Sequence, residues 1–282
     1  MGNVFGVKKE IGQSMKISNL DTTQYKRFFA FGCSFTNYKW ATWADIIGQD
    51  IEVYENWGEP SGGNHFIFNS VIEADARYNF SEHDLVIIFW STKEREDRYS
   101  NNKWAHATAK SIDTEYSKEW IGKFYFDTRS QLIRDLAYMK AIQTILISKK
   151  CHWANLSWNE FFNNSSIRDT YNNSTDKESL LVKWREACKE VYTGNTIPDF
   201  FDEQDVIKLY QDVFTNISGI YRWFESECID NVDREDIHPT PHEALMFLDW
   251  IWPNNTLSNT ARQYAINYNC ADIMQRSTIT RL

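Results

Sequence analysis

Short, nearly unbroken apolar runs alternate along the chain with longer segments in which apolar residues recur every three or four positions. Phe28–Phe35 (FFAFGCSF) is the first run, and Asp84–Trp90 (DLVIIFW) is the most continuous. Runs of roughly four to eight apolar residues bounded by turn formers predict strands buried on both faces, as in a parallel sheet. Ile51–Trp57 (IEVYENW) alternates like a second strand, and Thr144–Ser148 (TILIS) reads as a fourth. Residues 41–48, 65–76 and 115–141 have helical spacing, the first of them stopped by Gly48. A helix near 203–217 follows. A last one starts near Pro241, with Ala244, Leu245, Phe247, Leu248 and Ile251 on its inner side.

Strands separated by helices predict β-α-β units, hence an α/β fold with a central parallel sheet covered on both faces. The stretch 150–200 breaks the rhythm. It is rich in Asn, Ser and Trp and reads as an irregular insertion or lid. The expected parse is an N-terminal arm (1–24), one domain (25–256) and a C-terminal helical tail (257–282). A chain of 282 residues with 42% hydrophobic and 16% aromatic content can bury one large core or two modest ones. The net charge of −9 argues against a nucleic-acid partner, which needs a concentrated basic face. The five cysteines are scattered without a CxxC pair, which predicts neither a disulfide framework nor a zinc site and points to a reducing compartment. The first residues lack the apolar stretch of a signal peptide, and Gly6 stands where a myristoylation signal has Ser or Thr. No run reaches the roughly 20 apolar residues that span a bilayer.

Two places carry candidate chemistry. In FFAFGCSFT, Gly32 ends the first strand and Ser34 follows it, where unpaired backbone N–H groups favour developing negative charge. Gly32 is read as supplying a positive φ for the turn. The alternative is a strand-to-turn junction that happens to contain a serine. Near the other end, DREDIHPTPH sets His238 in a turn just before a helix, with Glu235 and Asp236 close upstream. A carboxylate there orients the ring for general-base work. The alternative is a solvated acidic loop with a surface histidine. Cys33 is an alternative nucleophile, but strand alternation sends it into the core. His83, His106 and His152 show no metal-ligand spacing.

Ser34 after a first strand, with His238-Pro239 late in the chain, resembles the SGNH (GDSL-like) hydrolase family over about residues 28–250. The D-x-H-P-T-P form of the second motif is similar to that of phage-encoded members. The resemblance implies a flavodoxin-like three-layer α/β/α sandwich and a serine esterase or acetylesterase. It implies no cofactor, with Ser34 as nucleophile, His238 as base, and Asp236 or Glu235 as the orienting carboxylate. The oxyanion hole would draw on Ser34, on Gly62 or Gly63 of PSGGNH, and, since the family's third-block Asn is absent, on Ser91 or Asn64. Loss of one such donor costs about 2.7–4 kcal/mol of transition-state stabilisation. Trp90, Arg95 and His65 are candidate substrate contacts, although His65 also reads as a helix-start residue bonded to its own loop. The implied partner is an acylated glycan or another small ester, with no nucleic acid and no membrane. In the alternative reading the fold is a virion structural or attachment module whose partners are other virion proteins. The implied location is the host cytoplasm or the virion.

Overall fold

Side chains along the first strand alternate between two separate cores, which is why the sheet is covered on both faces. The computed structural model of the chain describes residues 16–107, 116–120, 128–157, 217–220, 238–271 and 274, 279 and 281. Its strands are β1 (Arg27–Phe31), β2 (Val53–Asn56), β3 (Asp84–Trp90), a hairpin of β4 (Glu96–Ser100) and β5 (Lys103–Ala107), β6 (His152–Ser157) and β7 (Ile217–Ile220). The order in the main sheet is β2-β1-β3-β6-β7, and every pairing is parallel. This is the flavodoxin-like order of a doubly wound sheet, whose direction of growth reverses between β1 and β3.

Among the described residues the helices longer than one turn are α1 (Trp43–Gly48), α2 (Asn64–Tyr78), α3 (Thr128–Lys149), α4 (Pro241–Ile251) and α5 (Asn259–Asn267). Phe28, Ala30, Leu85, Ile87 and Phe89 pack with buried residues of α1, α4 and α5. Their sequence neighbours Phe29, Phe31, Val86, Ile88 and Trp90 pack on the opposite face with α2 and α3. The period of two along a strand divides the side chains in this way. The result is a three-layer α/β/α sandwich. None of the helices among the described residues is long and apolar enough to cross a membrane.

Three expectations change. Thr144–Ser148 is not a strand; it lies in the last turns of α3. Buried Leu132, Leu136, Met139, Ile142 and Leu146 form one stripe at spacings of three and four, the period of a helix. The fourth parallel strand is β6, at the start of the stretch read as an irregular insertion; residues 158–200 lie outside the described set. β6 is polar in composition, but Asn155 Oδ1 accepts from Trp90 Nε1 at 3.0 Å, which gives the buried side-chain amide a partner. Of the N-terminal arm, residues 16–24 belong to the packed domain. Ile17 N–H donates to the Trp153 carbonyl at 2.9 Å, and Ile17 and Leu20 are buried. The helix expected near 203–217 lies outside the described residues except at Ile217, where β7 begins.

A buried polar layer fixes the loops at the carboxyl ends of β2 and β3. The Asn64 side chain accepts from Ser91 N–H (2.8 Å) and donates to the Ser91 carbonyl (3.0 Å) and to Asp135 (2.6 Å). Asp97, fully buried, accepts from the N–H groups of Gly63 and Phe66, both at 2.9 Å, and so caps α2 from another segment. Asp97 also meets His106 Nδ1 at 2.8 Å, and Glu59 meets His106 Nε2 at 3.3 Å. Burial pushes the His106 pKa down, but the bonds and charges of Asp97 and Glu59 outweigh it and raise the ring to about 9. Burial likewise pushes Asp135 up to about 7, against the pull of Arg134 and Asn64.

The folded-state value of His106 lies above its ordinary value near 6.5. Its protonated form therefore contributes stability in full below about pH 6.5, and that contribution disappears as pH rises through about 9. We expect urea midpoints to fall between pH 6.5 and 9, by up to about 3 kcal/mol of unfolding free energy. His106→Gln should flatten that slope; an unchanged slope would contradict the assignment.

Candidate active site

The first crossover places Ser34 one turn beyond β1, at the point where the sheet reverses its direction of growth. Ligands bind there in open parallel sheets, because the loops on either side diverge and leave a crevice. Gly32 is required by close approach and not by its φ: among the described residues no glycine has a positive φ. A Cβ at residue 32 would stand 2.1 Å from Thr36 Oγ1 and 3.0 Å from the Phe89 carbonyl oxygen. The turn is closed by the N–H groups of Thr36 and Asn37, which both donate to the Cys33 carbonyl, at 2.9 and 3.0 Å. The Ser34 N–H takes no part in these bonds. Cys33 is fully buried in the core, away from the crevice.

Two neighbours brace the turn. The Thr36 carbonyl accepts from Asn56 Nδ2 at 2.6 Å and from Thr42 Oγ1 at 2.7 Å. Asn56, at the end of β2, also accepts from Gly58 N–H at 3.0 Å. These are residues that the sequence did not single out. Their only visible signal was an Asn at the end of a strand that precedes a Gly-rich loop.

His238 arrives from the far end of the chain. Its Nε2 lies 2.8 Å from Ser34 Oγ, within hydrogen-bond reach for a nucleophile and its base. Thr240 and Glu243 form a reciprocal capping box with Pro241 in the first turn, so α4 begins at a defined angle directly after His238-Pro239. The ring is also held by aromatic contacts. Tyr38 stacks on it with centroids 3.8 Å apart at 15°, and Phe35 lies 5.0 Å away. Trp40 Nε1 donates to the Pro239 carbonyl at 2.7 Å. Ser34 is 8% exposed. With Phe35, Trp43, Phe89, His238 and Phe247 it lines a mainly apolar cavity of about 10 Å³, room for about one water-sized group. Glu235 and Asp236 lie outside the described residues.

The other candidates fall elsewhere. Gly62 N–H is bonded to the Glu59 carbonyl at 3.0 Å and Gly63 N–H to Asp97, so neither amide is open to an oxyanion. Asn64 is spent on Ser91 and Asp135. The Ser91 hydroxyl is buried and makes no hydrogen bond among the described residues. Trp90 is a core residue on the α2–α3 face. Arg95 donates to the Gly62 carbonyl at 2.9 Å and so braces the loop. His65 is bound to the Asp97 carbonyl at 3.3 Å and stacks on Tyr138, in the first turn of α2. None of these three lines the cavity beside Ser34. His106, dismissed as a ligand for want of spacing, instead pairs with Asp97 and Glu59 through the tertiary fold.

An imidazolium at His238 would lie against a ring face at 3.8 Å, an attraction worth about 0.5–2 kcal/mol. Tyr38→Ala should therefore slow labelling of Ser34 by a fluorophosphonate probe by about three- to thirtyfold. Tyr38→Phe, which keeps the ring, should label within about twofold of the parent rate.

No family model matches the chain, and no curated protein matches it. Among solved structures it is similar to a member of the lipolytic protein G-D-S-L family from Veillonella parvula DSM 2008. That similarity has a TM-score of 0.34 and 11% identity, covering 80% of this chain and 94% of the other. A likeness at that score carries no argument, and the reading of the site rests on its own geometry.

Proposed function

We propose that the chain is a serine esterase of the SGNH type, phage-encoded, that removes acetyl groups from an O-acylated glycan. The observation that carries this reading is the 2.8 Å contact between Ser34 Oγ and His238 Nε2 at the switch point of a parallel sheet. Ser34 Oγ attacks the acyl carbon while His238 Nε2 takes its proton. The tetrahedral intermediate collapses as that proton passes to the leaving alcohol. Water, activated by the same nitrogen, then releases acetate and restores the serine. Asp236 or Glu235 orients the ring. With the amides of Gly62 and Gly63 already bonded and Ser91 outside the cavity, the oxyanion donor is the Ser34 N–H. The small cavity beside Ser34 supports a short acyl group, and the rings of Tyr38 and Trp40 next to it support a carrier with flat apolar faces, such as a sugar.

One observation favours a second reading. Three of the expected oxyanion donors are bonded within the protein, which suits a virion component with weak or no turnover. Hydrolysis of p-nitrophenyl acetate separates the two. Ser34→Ala and His238→Ala should each lower kcat/KM by at least about 10³-fold. The octanoate ester should be cleaved at least about tenfold less efficiently than the acetate. Equal rates for the parent and Ser34→Ala would end the esterase reading and leave the structural one.

A further inference from the structure

The site as described draws on loops after β1, β2 and β3 and before α4, yet residues near the end of the chain also reach these loops. Arg281 has only 14% of its side chain exposed. Its guanidinium donates to the Trp57 carbonyl at 2.8 Å and the Gly58 carbonyl at 3.3 Å, and it pairs with the Glu59 carboxylate. The same group lies over the Phe66 ring, 4.7 Å from its centroid, and over Trp57 at 5.8 Å. One side chain thus holds three consecutive residues of the loop after β2. A planar fork with fixed donors is pre-organised to hold two carbonyls and a carboxylate together, whereas an ammonium on a flexible stem loses more rotamer freedom in doing so.

That loop is the wall against which the Ser34 turn rests. Glu59 N–H donates to the Gly32 carbonyl at 3.1 Å, and Asn37 Nδ2 donates to the Gly58 carbonyl at 2.8 Å. Gly58 is in such close contact that a Cβ there would stand 3.0 Å from the Cβ atoms of Thr36 and Asn37. The Gly58 carbonyl therefore accepts from Asn37 on one side and Arg281 on the other. A second contact reaches the same turn further on: Met274 N–H donates to the Lys39 carbonyl at 2.8 Å, between the two rings that hold His238 and Pro239.

We propose that Arg281 is a positioning residue for Ser34: by fixing residues 57–59 it fixes Gly32 and Asn37, and through them the serine hydroxyl relative to His238. The kinetic consequence rests on the esterase reading; the structural consequence does not. A plain stability latch predicts something different, namely a uniform loss of folding free energy with the native site geometry intact.

The test pairs amide hydrogen exchange with turnover of p-nitrophenyl acetate in the full chain, for the parent, Arg281→Ala and Arg281→Lys. Arg281→Ala should speed exchange in segments 32–40 and 57–59 by about tenfold or more, with the strands unaffected. It should lower kcat by about tenfold and leave KM within about twofold, because misplacement of a nucleophile weakens reaction more than binding. Added guanidinium ion should restore both, and Arg281→Lys should not reach parent values. Unaltered exchange in segment 32–40 would overturn the proposal, as would faster exchange with kcat unchanged. If Arg281→Ala unfolds as a whole, the same two-segment criterion applies to Arg281→Lys. A parent chain without turnover would overturn the esterase reading, while exchange alone would still decide whether Arg281 holds the turn.

Discussion

The missing side chain at residue 32 is the constraint on which the site depends. With Phe89 carbonyl and Thr36 Oγ1 at the distances a Cβ would occupy, β1 and β3 close up where they end and the chain folds back at once. Any larger residue would push the turn away from β3, and Ser34 with it. The carbonyl of the same glycine is an acceptor for the loop after β2. One residue thus joins three strand ends, and Ser34 stands two positions further along. Parallel sheets expose such junctions only at the reversal in strand order, which explains why the serine is here and not after β6 or β7.

Beneath the crevice the polar groups are unusually crowded for a protein interior. Asp97 caps a helix, holds an imidazole and occupies the Gly63 amide. Asn64 and Asp135 do similar work under Ser91. Buried polar groups that are satisfied in this way specify a single arrangement, because each alternative leaves a desolvated donor or acceptor without a partner. The loops at this end of the sheet are short of regular structure but not short of constraint.

Part of this was legible from the sequence, the pairing of Ser34 with His238 only through the family resemblance. β3 matches its apolar run residue for residue and α4 opens at Pro241, because strand burial and helix capping leave local marks. Two kinds of feature left none. TILIS fits a strand or a helix equally well over five residues, and only the longer stripe back to Leu132 decides for the helix. HWANLS looks like a loop because its polar residues are satisfied by partners such as Trp90, far away in sequence. The Gly62 and Gly63 amides were misjudged for the same reason. Asp97, 34 residues beyond Gly63, takes up one of them, and spacing along the chain is silent about that.

The serine and histidine that meet in the crevice are 204 residues apart in the sequence. A chain emerging from the ribosome presents the first long before the second, and the contact between them closes a very large loop. Contacts of that separation form late, since the entropy of closing the loop must be met by packing already in place. Strands β1, β2 and β3 with α1 and α2 lie close together in the chain, so their packing closes much shorter loops than the pair does. A partly folded molecule in which His238 has not docked holds Ser34 without this partner, so the contact is a property only of the completed fold.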